Sequence, residues 1–274
     1  MDSNHKETPA AKATVSISLV AIQRNYHECL QRLADAYSII ACGIPLVDES
    51  AYENFKEFFT FQIGTKLPQE DAAKEGKQWQ IRNFMRDAIE LTHTFLEECL
   101  TIAQLLELGK PSIILARDFH RIMVLDKKKN HRLGFPDKIE TLKKMNVRVS
   151  FEDQLLSINK ARNCLAHRNG FVSIEDLNSD EGLRINWRAF ELLATNPDKT
   201  QRIPLADSNM VAPGGWAIEI RMIDRHRIYK LGDRIEFDTR DIADTLLTLH
   251  GFSSDILNSM SEKMKEIGIG SEPT

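Results

Sequence analysis

The chain has no apolar run approaching the roughly 20 residues that a bilayer-spanning helix needs. Its first dozen residues, MDSNHKETPAAK, hold no apolar stretch of the kind found in a secretory leader. These absences point to a cytoplasmic protein without a membrane partner, and residues 1–13 read as a disordered tail. Cysteine is scarce. Cys29, Cys42, Cys99 and Cys164 stand far apart with no CxxC pair, and each lies in or beside an apolar helical pattern. Buried free thiols are expected, not a disulfide framework, and no metal site is expected from their spacing. Gly214-Gly215 lacks the surroundings of a phosphate-binding loop, and no carboxylate cluster offers metal ligands, so no cofactor is expected. Positive charge is not in excess either. The 36 Lys and Arg are outnumbered by 40 Asp and Glu, for a net charge of −4. That balance excludes a protein that coats nucleic acid unspecifically and leaves room for a local basic site.

What the chain does have is helical periodicity. Over residues 15–41, Leu19, Ile22, Tyr26, Leu30, Leu33 and Tyr37 mark one face, and Cys42-Gly43-Ile44-Pro45 breaks the pattern. Asp48 or Ser50 caps a shorter helix carrying Tyr52, Phe55, Phe58 and Phe59. Residues 66–76 read as a charged loop. A second long helix is expected over 79–108, closed by Gly109-Lys110-Pro111. Residues 113–125 fit helix or strand, with their length and the Arg117/Arg121 spacing favouring helix. Residues 126–132 read as a basic loop and 135–145 as a short helix. Ser150 then caps a helix over 151–168 that stops at Asn169-Gly170.

Beyond Gly170 the pattern alternates. Strands are expected over 183–193 (Ile185, Trp187, Phe190) and 216–229 (Ile218, Ile220, Met222, Ile228). A turn at Lys230-Leu231-Gly232-Asp233 leads to a short returning strand over 234–237. Asp238 or Thr239 caps a last helix reaching about residue 267. The expected fold is mainly α: an antiparallel helical bundle over 14–182, a small β insertion over 183–238, and a C-terminal helix over 239–267 that packs on the bundle.

One helix face is unusual. With about 100° per residue, Phe151, Leu155, Ile158 and Leu165 form an apolar stripe with Arg162 at its edge. Asn159, Asn163 and Ala166 fall beside the stripe, and His167 extends their row by one turn. Asparagine is a mediocre helix former, so two of them one turn apart ask for a reason. Taken singly, His167 could complement the helix dipole and Arg162 could be an ordinary ion-pair partner. The combination Arg-Asn-x-x-x-His points to a function.

The segment Arg162–His167, RNCLAH, resembles the R-x(4–6)-H signature of the HEPN superfamily, in the form where Asn, Asp or His follows the arginine. The flanks Phe135-Pro136-Asp137-Lys138-Ile139 and AHRNG strengthen the likeness, which covers residues 135–172 and, loosely, the rest of the bundle. The resemblance implies a HEPN-like helical bundle and a metal-independent endoribonuclease of toxin–antitoxin or antiviral defence systems. It also implies a site completed across a homodimer and an antitoxin protein as a partner. Arg162 would hold the phosphate, His167 would move the proton, and Asn163 would orient either of them. Asn159 and the basic cluster Lys127, Lys128, Lys129 and Arg132 would bind the RNA substrate. Some HEPN domains are inactive, so a non-catalytic interaction or assembly module is the alternative. His27 and His93 read as packing or surface residues, and Trp79, Trp187 and Trp216 as core or interface anchors. Arg225, His226, Arg227 and Lys230 read as a solvated basic stretch.

Overall fold

The computed structural model describes residues 17–56, 67–108, 116–205 and 214–269. In chain order they form α1 (Leu19–Gly43), α2 (Glu49–Lys56), α3 (Gln69–Glu107) and α4 (Ala116–His120). A π-helical stretch (Arg121–Asp126) leads into α5 (Lys127–Arg132), α6 (Phe135–Lys144) and α7 (Glu152–His167). The strands β1 (Leu183–Thr195), β2 (Arg202–Pro204) and β3 (Ala217–Tyr229) precede α8 (Thr239–Glu266). The architecture is thus mainly helical with one small antiparallel sheet. The expected tail, Phe58, Phe59 and the Gly109-Lys110-Pro111 stop lie outside the described residues. No helix among the described residues is long and apolar enough to cross a membrane.

Capping chemistry sets several boundaries. Ser18 accepts the Ala21 N–H at 3.2 Å to start α1, and Asp48 accepts the Ala51 N–H at 2.7 Å to start α2. Asp238 and Asp241 form a reciprocal box at the start of α8. Ser150 is not a cap. Its N–H donates to Asp255, and α7 has Phe151 at its N-cap position with no side-chain cap, its first turn carrying Glu152 and Asp153, which complement the positive end of the helix dipole. At the far end of α7, Asn169 and Gly170 turn left-handed (φ 52° and 83°), and the Gly170 N–H returns to the Cys164 carbonyl at 3.1 Å.

Two expected loops are helical. Residues 69–76 form the first two turns of α3, with Glu70 and Asp71 placed favourably at its N-terminus and Glu75 anchored by Arg234 at 2.7 Å and 3.0 Å. The basic stretch is α5, tied to α3 by Asn130–Gln104 (3.0 Å) and His131–Glu97 (3.2 Å). High charge density is compatible with helix, because Lys, Arg and Glu are good helix formers.

The core lies between α3, α6, α7, α8 and the inner face of the sheet, with Met85, Leu96, Leu100, Ile139, Ile158 and Phe252 fully enclosed. Tyr26 of α1 stacks on Phe95, and its hydroxyl meets that of Thr92 at 2.8 Å. Cys99 and Cys164 are buried and Cys29 is half-buried; Cys42 is exposed, against expectation.

The strand order is β2-β1-β3, and β1 pairs with β3 along its whole length without a bulge. Gly182 admits no side chain, because its φ is 144° and a Cβ would stand 2.3 Å from the Tyr229 carbonyl oxygen. Where β1 has no neighbour on its β2 side, helix hydroxyls take its amides: Ser157 accepts from Asn186 and Thr248 from Arg188, both at 2.9 Å. Trp187 is buried, with its indole N–H on Thr245 at 2.9 Å. The expected returning strand over 234–237 is instead a single bridge from Arg234 to Phe171. The turn aims the chain at the segment after α7, where Gly232 and Ile235 bond to Val172 and Gly170. The basic stretch on β3 is also not free. Arg225 bonds Asp244 and Asp241 at 2.6 Å each, and Arg227 bonds Asp238 and Asp241.

Candidate functional site

Residues of α7 divide by what they touch. Leu155, Ile158, Ala161, Cys164 and Leu165 face the core. Asn159 is 8% exposed, Arg162 and Asn163 are half-buried, and Ala166 and His167 are exposed. No side chain of Asn159, Arg162, Asn163 or His167 makes a hydrogen bond or ion pair among the described residues, and Asn159 Oδ1 and Arg162 Nε are enclosed without a partner. Enclosed polar atoms are ordinarily paired. Gln80 Oε1, Arg184 Nε and Arg234 Nε are also unpaired, but each of those side chains is bonded through another atom, whereas the side chains of Asn159 and Arg162 make no bond at all among the described residues. The residues immediately after it are fully engaged. Arg168 donates to Asp176 at 2.8 Å and to Glu175 at 3.2 Å, and Asn169 accepts from Arg82 at 2.9 Å.

Helix α3 runs past this row in the opposite direction. Asn169 meets Arg82, while Arg162 lies within electrostatic range of Glu90 and His93, farther along α3. Burial lowers the Arg162 pKa from the usual arginine range and the Glu90 charge opposes this, so the guanidinium stays protonated with its donors uncommitted.

Beside Arg162, α3 and α6 build a compact polar cluster. Lys138, only 1% exposed, donates to Glu97 at 2.6 Å and to His93 Nδ1 at 3.0 Å. An ammonium has no acceptor, so Nδ1 of His93 must accept and its ring proton sits on Nε2. Burial, then the charges of Lys138 and Arg162, push the His93 pKa down to about 4. The imidazole is therefore neutral at pH 7, its ring edge-on to Phe135 with centroids 4.9 Å apart. Burial works against ionised Glu97, but its bonds to Lys138 and His131 outweigh that and hold its carboxyl below the usual range.

The structure therefore brings Arg162 within electrostatic range of the α3–α6 cluster, with Asn159 and Asn163 beside it on α7, and leaves His167 exposed at the end of α7. His167 stands five positions after Arg162, a rotation of about 140°, so one α7 presents them on different sides. Lys127, Lys128, Lys129 and Arg132 are exposed on α5. They reach the cluster only through their neighbour His131 and make no contact with Arg162 or His167 among the described residues. Sequence reasoning missed Glu90, Glu97 and Lys138, and set His93 aside as a packing or surface residue. Their signal was the spacing of Glu90, His93 and Glu97, which share one face of α3, with Lys138 inside the flank before the motif.

Chemically, the row offers a fixed cation with free donors, two uncommitted amides and an exposed imidazole. Cys164 offers no nucleophile, since burial pushes its thiol up to about 12. Among the described residues, no group of three or more His, Cys, Asp or Glu is arranged to hold a metal ion. Comparison with known proteins finds no matching family model, no matching curated protein and no matching solved structure.

Proposed function

We propose that the protein is a metal-independent endoribonuclease of the HEPN type, acting as a toxin or defence effector. The observation that supports this reading is the unpaired row on α7, in which Arg162 keeps its guanidinium donors free while His167 stands open to solvent. In the reaction, a ribose 2′-hydroxyl attacks the adjacent phosphorus and the 5′-oxygen leaves, giving a 2′,3′-cyclic phosphate and a free 5′-hydroxyl. His167 moves the proton, as base to the 2′-hydroxyl or acid to the leaving oxygen. Arg162 holds two phosphate oxygens while negative charge builds. Asn163 and Asn159 orient the phosphate, and the α5 lysines with Arg132 guide the RNA strand. Because Arg162 and His167 diverge around α7, a second copy supplies the complementary pair in a homodimer. An antitoxin protein that covers the row is the expected natural partner.

The half-burial of Arg162 favours one other reading, a non-catalytic module in which the same row docks a protein and the RNA is untouched. Incubation with mixed cellular RNA in EDTA, followed by mapping of the termini, separates the two. The ribonuclease reading expects cyclic-phosphate ends from wild type and none from His167→Ala. Identical, uncut RNA from both folded proteins would overturn it.

A further inference from the structure

The sheet carries an apolar face on its outside. Register places Phe190 opposite Met222 and Leu192 opposite Ile220, with Ala194 between Ile203 and Ile218. Phe190, Leu192, Ile203, Ile218, Ile220 and Met222 thus form one contiguous patch, and each is 40–64% exposed. The opposite face at the same height carries an ion-pair cluster, Glu219 with Arg202 at 3.3 Å and Arg221 at 3.2 Å, alongside the buried Leu193 and Thr195. This orientation is enforced. Leu183, Ile185 and Trp187 are locked into the core at the other end of the same unbroken ladder, and a one-residue slip would expose them. The buried end of the sheet therefore commits the far end to an apolar exterior.

We infer that this face is an interface with a second copy of the chain, the two sheets packing face to face about a two-fold axis. Six large side chains left about half open amount to on the order of 500 Å² of apolar surface, at the upper end for a lone soluble protein. Matched by a second copy, this buries on the order of 1,000 Å², the lower bound for a specific interface. Lengthwise pairing of the free β3 edges would leave the patch open and double its width, so face-to-face packing is the arrangement that covers it. The patch is bordered by the Arg188–Asp224 ion pair at 2.8 Å, one charge of each sign, which two-fold rotation can match. The strands contain no lysine, and each of their six arginines is paired with a carboxylate, so the surface lacks the uncommitted cationic rim that would hold it to an anionic membrane. The interface does not rest on the ribonuclease reading. Phe151, at the start of α7, lies under Arg188, whereas Arg162 is 11 residues on, about 16 Å along the helix.

Sedimentation velocity of the full chain over a range of concentrations tests this. Wild type is expected to self-associate, and the double variant Ile218→Lys/Ile220→Lys to raise the dissociation constant at least about 30-fold. Both residues are more than 60% exposed, so circular dichroism and melting should remain those of wild type. Arg162→Ala should leave the association unchanged. As a second measurement, Ile220→Cys in a Cys42→Ser background should form an intermolecular disulfide on mild oxidation. A monomeric wild type, a double variant that associates as tightly as wild type, or a monomer that instead binds phosphatidylcholine vesicles would each overturn the inference.

Discussion

Arg162 on α7 and Arg225 on β3 are both arginines drawn partly into the protein, and they meet opposite conditions. Arg225 lies between Asp241 and Asp244, 2.6 Å from each, with its guanidinium 4.6 Å from the centre of the Trp187 ring. Arg162 has an enclosed, unpaired Nε and only the more distant charge of Glu90 in its favour. A saturated guanidinium can only hold structure. One that is partly desolvated and unpaired keeps its hydrogen-bonding capacity for an arriving anion, and the cost of dehydrating it has already been met by folding.

The largest expected effect lies on the unpaired side. His167→Ala should lower RNA cleavage by about 10²- to 10⁴-fold with no change in melting temperature, as read by timed digests of one labelled RNA. A drop in stability matching the drop in cleavage would erase the contrast between the two regions. On the saturated side, Asp241→Ala should destabilise by about 2–4 kcal/mol in denaturant titration, because it removes one of the two carboxylates that each of Arg225 and Arg227 holds and breaks the α8 capping box. A cost below about 1 kcal/mol would mean that these pairs are surface-like.

The polar cluster beside Arg162 adds a pH test. His93 takes up its proton near pH 4 when folded and near the ordinary histidine value of 6.5 when unfolded. The unfolded state therefore binds more protons between those values, and stability falls as pH drops from 6.5 to 4. Discounted for partial exposure, the loss is about 1–2 kcal/mol. His93→Gln should flatten that part of the stability curve, and an unchanged slope would place the acid sensitivity elsewhere. The smallest effect is expected from Arg162→Met. Removing an unpaired, partly buried donor group while keeping the aliphatic bulk should change stability by no more than about 1 kcal/mol in either direction.

Apolar spacing made α1, the main part of α3, α7, α8 and the two long strands legible, and Asn169-Gly170 marked the end of the motif helix. The first turns of α3 and all of α5 were hidden by their charge, since a polar stretch reads alike as loop or as solvated helix. Glu75 finds its partner Arg234 only 159 residues away. Likewise, nothing local to Arg225 announces Asp241 and Asp244, and nothing local to His93 announces Lys138. The row on α7 was legible because its oddity is local: asparagines one turn apart beside an arginine and a histidine. The sheet was legible as alternation, but alternation alone does not say which face is wet, and here Ile218, Ile220 and Met222 point outward.

The 39 residues of α3 make an uninterrupted rod of about 58 Å. Glu75 near one end grips Arg234 in the segment that leads to α8, and Glu97 towards the other grips Lys138 beside the motif. Such a rod is a lever. A tilt of about 4° around its middle displaces Glu97, about 14 Å from that point, by about 1 Å, enough to loosen its 2.6 Å ion pair with Lys138. A pull on Arg234 that tilted the rod would move Glu97 against Lys138 without any intervening chain of side chains.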